Sequence, residues 1–305
     1  GSFDLLDETD DFLRARFGKI GRLYRGDDCH AIPGGKIGER VVVRDELAVI
    51  LRNGCNTAKD CLIPGVDHLG QGQVLMLLHG LFGALSNWED VVKRFSTHLR
   101  VVIPMLPIYE MPIKEAGLEG LRKFVEDFVS MKKLDKMIIM GNSLGGHVGL
   151  LYTLANSSKV DKLILTGSSG LFENTMGGSY PRRGSYDYIQ ERVAYTFYDP
   201  KVASKELVDE VFETTRSIPK CMRIVAIAKS AQRNNLALDL PNIKVPTLLI
   251  WGLNDTITPP MVGHEFNRLI PNSRLRFIDK CCHAPMMERP ERFNALVETF
   301  LAGKE

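Results

Sequence analysis

A mostly parallel, doubly wound α/β sheet is what this 305-residue chain predicts, on three observations. Short apolar runs alternate with stretches of helical periodicity. Several of those runs end directly in glycine-containing turns. No Pro/Gly/Ser linker or internal repeat divides the chain, and at 44% hydrophobic and 25% charged it is long enough for one large α/β core carrying an insertion.

The elements follow in chain order. Arg40–Arg44 and Leu47–Leu51 read as an opening hairpin, and Asn53 to Gly72 as a long connection. Val74–Leu78 is a buried strand that runs into the glycine-rich turn His79-Gly80-Leu81-Phe82-Gly83, whose backbone N–H groups can face an anion. Ser86–His98 has helical spacing, with Trp88, Val91, Val92 and Phe95 on one face, and Arg100–Met105 is the next strand. Ala116–Lys133 repeats the helical pattern through Leu118, Leu121, Phe124, Val125, Phe128 and Val129, then Leu134–Met140 returns as a strand. Directly after it stands Gly141-Asn142-Ser143-Leu144-Gly145-Gly146, with a helix through Val148, Leu150, Leu151 and Leu154 to follow and a strand at Lys162–Thr166.

Strand, Gly-x-Ser-x-Gly, helix is the order of a nucleophile elbow. A serine at the tip of so sharp a turn takes a strained backbone, and small neighbours at 141 and 145 let the turn close against the sheet. Ser143 is therefore the candidate nucleophile. It needs a base, and the base an orienting acid. Thr247–Trp251 is a strand closed by Gly252, with Asp255 in the loop behind it. Arg274–Ile278 alternates polar and apolar like a strand, and the loop Asp279 to Pro285 carries His283.

From about residue 72 to its end, the chain resembles the α/β-hydrolase family, with the His-Gly turn, the elbow, the Asp loop and the His loop in that family's order. The resemblance implies a triad of Ser143, His283 and Asp255, an oxyanion hole from the amides of Leu81 and Leu144 with Phe82 in reserve, and a structural role for His79. It also implies that residues 170–239 form a cap. That stretch opens with Phe172, Gly177-Gly178, Tyr180, Tyr186 and Tyr188 and continues in a helical pattern from Ser204 to Arg233. Its aromatic content favours an apolar or aromatic acyl group. Arg182, Arg183, Arg216, Arg223 and Arg233 suit a solvated face better than a carboxylate clamp. The expected organisation is an extension at 1–38, core at 39–169, cap at 170–239 and core again at 240–305.

The expected activity is hydrolysis of a small, fairly apolar carboxylic ester through an acyl-enzyme, with no metal or organic cofactor. Two alternatives stand beside it. The Gly-Asn-Ser-x-Gly-Gly elbow is shared with the meta-cleavage carbon–carbon bond hydrolases, although that branch has Trp after its catalytic His where this chain has Ala284. The other is a ligand-binding receptor on a hydrolase scaffold. A net charge of +2 without a basic block argues against a nucleic-acid partner. No apolar run reaches the ~20 residues of a membrane helix. Gly1-Ser2 resembles a tag remnant. The missing signal-peptide run and six cysteines without framework or metal spacing (Cys29, Cys55, Cys61, Cys221, Cys281, Cys282) point to the cytoplasm, with Cys281-Cys282 read as packing residues.

Overall fold

The computed structural model describes residues 43–44, 47–49, 72–83, 85–174 and 184–304, the first two pieces by backbone alone. The extension at 1–38, the connection after Asn53, the outer residues of the opening hairpin, Cys29, Cys55, Cys61, Gly177-Gly178, Tyr180, Arg182 and Arg183 lie outside the described residues.

Eight strands form one sheet in the order β1-β2-β4-β3-β5-β6-β7-β8. They are β1 (Val43–Arg44), β2 (Leu47–Val49), β3 (Val74–Leu78), β4 (Arg100–Ile103), β5 (Met137–Asn142), β6 (Val160–Thr166), β7 (Thr247–Gly252) and β8 (Ser273–Ile278). Only β1 and β2 pair antiparallel; every other neighbouring pair is parallel. Parallel strands need crossover helices, which cover both faces, so the strands are apolar on both sides. All residues of β3, β5 and β7 are buried. Within β3, Val74, Met76 and Leu78 join the core under α2 (Leu118–Met131), α3 (Leu144–Ala155) and α7 (Pro260–Leu269). Leu75 and Leu77, equally buried, point to the other face, where α1 (Glu89–Phe95) and α9 (Pro290–Leu301) pack.

Most elements fall where the periodicity puts them, and two differ. The helix read at Ser86–His98 is a 3-10 turn at Leu85–Trp88 followed by the shorter α1, whose Glu89 and Asp90 in the first turn and Lys93 and Arg94 in the last complement the helix dipole. The helical run from Ser204 to Arg233 is two helices, α5 (Lys205–Arg216) and α6 (Ile218–Arg233). Pro219 has no N–H to give and is accommodated only in a first turn, so a new helix starts there. With α4 (Tyr186–Ala194), these helices make up the insertion between β6 and β7; Ser185 caps α4 and Ser204 caps α5 by accepting from backbone amides. The helix after the His loop, α8, is the short turn Pro285–Glu288.

Sequence order reverses between β3 and β5: β3 leads outward to β4, and the chain then crosses back to β5 on the other side of β3. In an open α/β sheet the crevice beyond the carboxyl ends of the strands at such a reversal is the natural ligand site. Here those ends carry Gly80 and Ser143. The helix α3 lies so close to β3 that a Cβ on Gly145 would stand 2.0 Å from the Leu78 carbonyl oxygen. Backbone cannot yield there, so Gly145→Ala is expected to lower the unfolding free energy by about 3 kcal/mol, read as a fall in the urea midpoint at unchanged m-value.

Candidate functional site

The four motifs converge at the carboxyl edge of the sheet. Ser143 follows β5 and is the residue before α3. Its backbone is left-handed, φ 54° and ψ −121°, a conformation that costs a residue with a Cβ of order 1–3 kcal/mol and persists where neighbours over-determine it. Those neighbours are bare. A Cβ on Gly141 would lie 2.6 Å from the Gly145 carbonyl oxygen, and one on Gly146 2.4 Å from the Ser168 hydroxyl. The Ser143 amide donates to the Thr166 carbonyl at 3.1 Å, and its own carbonyl accepts from the amides of His147 and Ser169, each at 3.2 Å. The serine is thus fixed by β6 as well as by its own helix.

On the other side of Ser143 lies the turn after β3. A Cβ on Gly80 would be 3.3 Å from the Ser143 Cβ, so the residues flanking Gly80 sit beside the hydroxyl-bearing carbon. His79 is buried, and burial lowers its pKa despite a hydrogen bond to the Gly80 carbonyl that works the other way. Its Nε2 accepts from the Leu106 amide at 3.0 Å, which leaves Nδ1 to donate to the Gly80 carbonyl at 2.9 Å. Both ring nitrogens are used in bracing the turn. The Leu81 carbonyl accepts from the Tyr109 hydroxyl at 3.0 Å, a second brace that turns the Leu81–Phe82–Gly83 stretch against the loop after β4.

Asp255 and His283 form a buried pair. The Asp255 carboxylate is 3.0 Å (Oδ2) and 3.2 Å (Oδ1) from His283 Nδ1. Its Oδ1 accepts the amides of Ile257 and Thr258, both at 2.9 Å, and Oδ2 accepts the Thr258 hydroxyl at 2.9 Å. The loop that presents it is anchored by Trp251, whose indole N–H donates to the Thr258 carbonyl at 2.8 Å. A carboxylate so fully hydrogen-bonded cannot rotate away from the imidazole, and it fixes the tautomer with Nδ1 protonated and Nε2 bare. Burial works to lower the pKa of His283, but the Asp255 charge and hydrogen bond outweigh it, and the charges of Glu173 and Glu288 add to them; the net shift is upward from 6.5. Because the folded value exceeds the unfolded one, protonated His283 adds stability fully present below pH 6.5 and lost as the pH rises through the folded value.

Asn142, one residue before Ser143, ties the serine to the histidine: its amide donates to the Thr166 carbonyl at 3.0 Å and to the His283 carbonyl at 3.1 Å. Gly167 is left-handed at φ 50°, and a Cβ there would be 2.9 Å from His283 Nδ1, so the chain leaving β6 passes against the imidazole.

Three further residues belong to this neighbourhood without having stood out in the sequence. His147, one turn into α3, is fully buried, with its pKa pushed down to about 4 chiefly by burial, against a hydrogen bond to the Asn234 side-chain oxygen. Its Nε2 lies 3.1 Å from Asn234 Oδ1 at the end of α6, so it joins the elbow helix to the insertion. Glu173 stands on the segment leaving β6, which Asn174 pins to the Asp loop through Ile257 (2.7 Å) and Thr256 (2.8 Å). Glu288 is a buried carboxylate under the His loop. The only local signal for any of them is that Glu288 is the acid directly after the apolar run Ala284 to Met287. Cys281 and Cys282 are buried and unpaired, and burial pushes both thiols up. Their carbonyls lie where a Cβ on Gly252 would be, 2.3 Å and 2.1 Å away, which is packing against the end of β7.

A strand-end serine on a left-handed turn and a buried acid–imidazole pair, both at the carboxyl edge of a parallel sheet, define an α/β-hydrolase. Within that class the model of the serine aminopeptidase S33 family matches residues 114–290, more than half of the chain, and the chain belongs to that family. It is similar to the 2-hydroxy-6-oxo-2,4-heptadienoate hydrolase of Pseudomonas putida, at 27% identity over 78% of this chain and 92% of the relative. It is also similar to the pimeloyl-[acyl-carrier protein] methyl ester esterase of Vibrio cholerae, at 29% identity over 73% of this chain and 92% of the relative. Among solved structures, an α/β-hydrolase enzyme from a sediment metagenome of the Mar Chica lagoon, Morocco, shares 39% identity over 77% of this chain and 93% of its own, with a TM-score of 0.64. Among the described residues no helix is long and apolar enough to cross a membrane.

The carboxylate carries the upward shift of the imidazole. Asp255→Asn is therefore expected to bring the His283 titration, followed by proton NMR, from above 6.5 to below it, because burial then acts with little opposition.

Proposed function

We propose that the protein is a serine hydrolase that cleaves a carboxylic ester of a small, fairly apolar substrate through an acyl-enzyme. The observation that carries this reading is the buried Asp255–His283 pair, at 3.0 Å and with Nε2 left bare, beside the strained Ser143. Ser143 is the nucleophile. Its Oγ attacks the ester carbonyl carbon while its proton passes to His283 Nε2, and Asp255 holds and stabilises the imidazolium. The tetrahedral oxyanion is placed on the amides of Leu81 and Leu144, with Phe82 as the alternative donor. The second amide opens α3, whose dipole favours negative charge. As the intermediate collapses, the carbon–oxygen bond to the alkoxide breaks and His283 gives that oxygen the proton. Water, deprotonated by His283, then releases the acid and restores the hydroxyl. Every group in this cycle is a side chain or a backbone amide.

Residues 170–239 are assigned as the cap over this site, and a cytoplasmic location accords with the free thiols of Cys281 and Cys282.

Carbon–carbon bond cleavage is the second reading, favoured by the likeness to the heptadienoate hydrolase. A dienoate brings a carboxylate. Here three carboxylates, Asp255, Glu173 and Glu288, already act on His283. Another negative charge in that environment is repelled, and a neutral ester is not.

Wild type with p-nitrophenyl butyrate is expected to release a burst approaching one p-nitrophenolate per chain. Ser143→Ala should abolish burst and turnover, and Asp255→Asn should cost up to about 10⁴ in kcat. An esterase rate that survives in Ser143→Ala removes the acyl-enzyme. A dienoate that is bleached faster than any ester is cleaved moves the assignment to carbon–carbon hydrolysis. Glu173→Gln should in turn raise kcat/KM for a half-ester with a free acyl-chain carboxylate relative to its uncharged analogue.

A further inference from the structure

We infer that Glu288 is a positioning residue that joins the insertion to the loop of His283 and thereby sets the register and proton affinity of the imidazole. The inference rests on the assignment of His283 as general base. Glu288 is 6% exposed and belongs to the short turn α8, just after the His loop. Its Oε1 accepts the Cys282 amide at 2.7 Å, and its Oε2 accepts the Tyr198 amide at 2.7 Å. The first donor is the residue before His283. The second lies in the segment that leaves α4.

The same segment of the insertion meets the loops of the site at three more points. The His283 amide donates to the Thr196 carbonyl at 3.1 Å. The Thr256 hydroxyl donates to the Tyr195 carbonyl at 3.2 Å, and the Cys282 thiol lies 3.9 Å from that same carbonyl oxygen. Residues 195–198 of the insertion are therefore laced to both the acid loop and the histidine loop, and Glu288 supplies the only charge among these contacts. An anion suits the position because the groups on its oxygens, the Cys282 and Tyr198 amides and the Cys281 thiol at 3.8 Å, are donors. Burial pushes the Glu288 carboxyl up, against the Cys282, Tyr198 and Asp199 amides and the Arg289 charge, which pull it down. The remaining charged groups acting on the imidazole are Asp255, in contact with Nδ1, and Glu173 on the segment leaving β6.

A carboxylate with two donors in a buried place differs from a merely structural acceptor in one readable way: it acts on the proton of its neighbour as well as on the backbone. Glu288→Gln keeps the shape, removes the charge and turns one amide nitrogen toward an N–H donor. It is expected to lower kcat at least tenfold with KM changed less than twofold. The acid limb of kcat/KM should move to lower pH, because His283 loses a charge that favours its protonated form. The His283 resonance, titrated by NMR without any substrate, should move the same way. In the wild-type protein the Cys282 and Tyr198 amides should exchange with deuterium as slowly as the amides of β5, a measurement that requires no variant to fold. A folded Glu288→Gln protein with unchanged kcat and an unmoved His283 titration overturns the inference, and so does rapid exchange at both amides. If no ester is turned over by wild type, while the titration and the exchange behave as stated, the functional assignment fails and the coupling of Glu288 to His283 stands.

Discussion

The left-handed turn at Ser143 is the constraint from which the rest of the site follows. Its cost is local, and what sustains it is the absence of side chains around it: Gly141, Gly145 and Gly146 each stand where a Cβ would meet backbone or a neighbouring hydroxyl at 2.6 Å or less. That bare space lets α3 descend onto β3, which brings its N-terminal amides to the serine and sets Gly80 3.3 Å from the Ser143 Cβ, measured from the Cβ it lacks. Strand order completes the arrangement. Because the chain reverses between β3 and β5, the turn after the first and the serine after the second share one crevice.

Opposite the serine, the histidine is governed by electrostatics rather than by strain. A buried imidazole left to itself loses its proton, as His147 does, with a pKa near 4. His283 is also buried and shifts the other way, since Asp255 touches it and Glu173 and Glu288 act on it. The two histidines are two turns of the same physics: one faces an amide and its pKa falls, the other faces carboxylates and its pKa rises. On the proposed function, the first braces and the second carries the proton.

Much of this was legible in the sequence, for reasons that can be named. A strand followed by glycine and a reactive side chain is a local pattern, and the turns after β3, β5 and β7 carry it, so His79, Ser143 and Asp255 stood out by position, while His283 stood out as the histidine in the loop after an alternating strand. The crossover helices followed from apolar spacing, as in α2, where Leu118, Leu121, Phe124, Val125, Phe128 and Val129 are all buried. The bounds that slipped are those set by single residues: Pro219 divides a helical run whose periodicity alone is continuous. What could not be read are contacts between pieces distant in sequence. Nothing local marks Asn142 as the donor to a carbonyl 141 residues away, or Glu288 as the acceptor for Tyr198, 90 residues before it. His147 looks like any polar residue on a helix until the packing puts Asn234 against it.

Those distant contacts share one feature. His147 reaches the end of α6, Asn174 pins the start of the insertion to the Asp loop, and residues 195–198 are held by the His loop and Glu288. The insertion is anchored to the elbow helix, the acid loop and the base loop separately, at three places spread along its length. Whatever it selects, it cannot be displaced at these points without disturbing the orientation of a residue assigned to the chemistry. On the proposed function, substrate selection and proton transfer are in that sense mechanically joined. Substitutions in the insertion that leave the pocket wall intact but loosen one anchor therefore act on kcat before they act on KM, the opposite of what a lid that only covers the site would give.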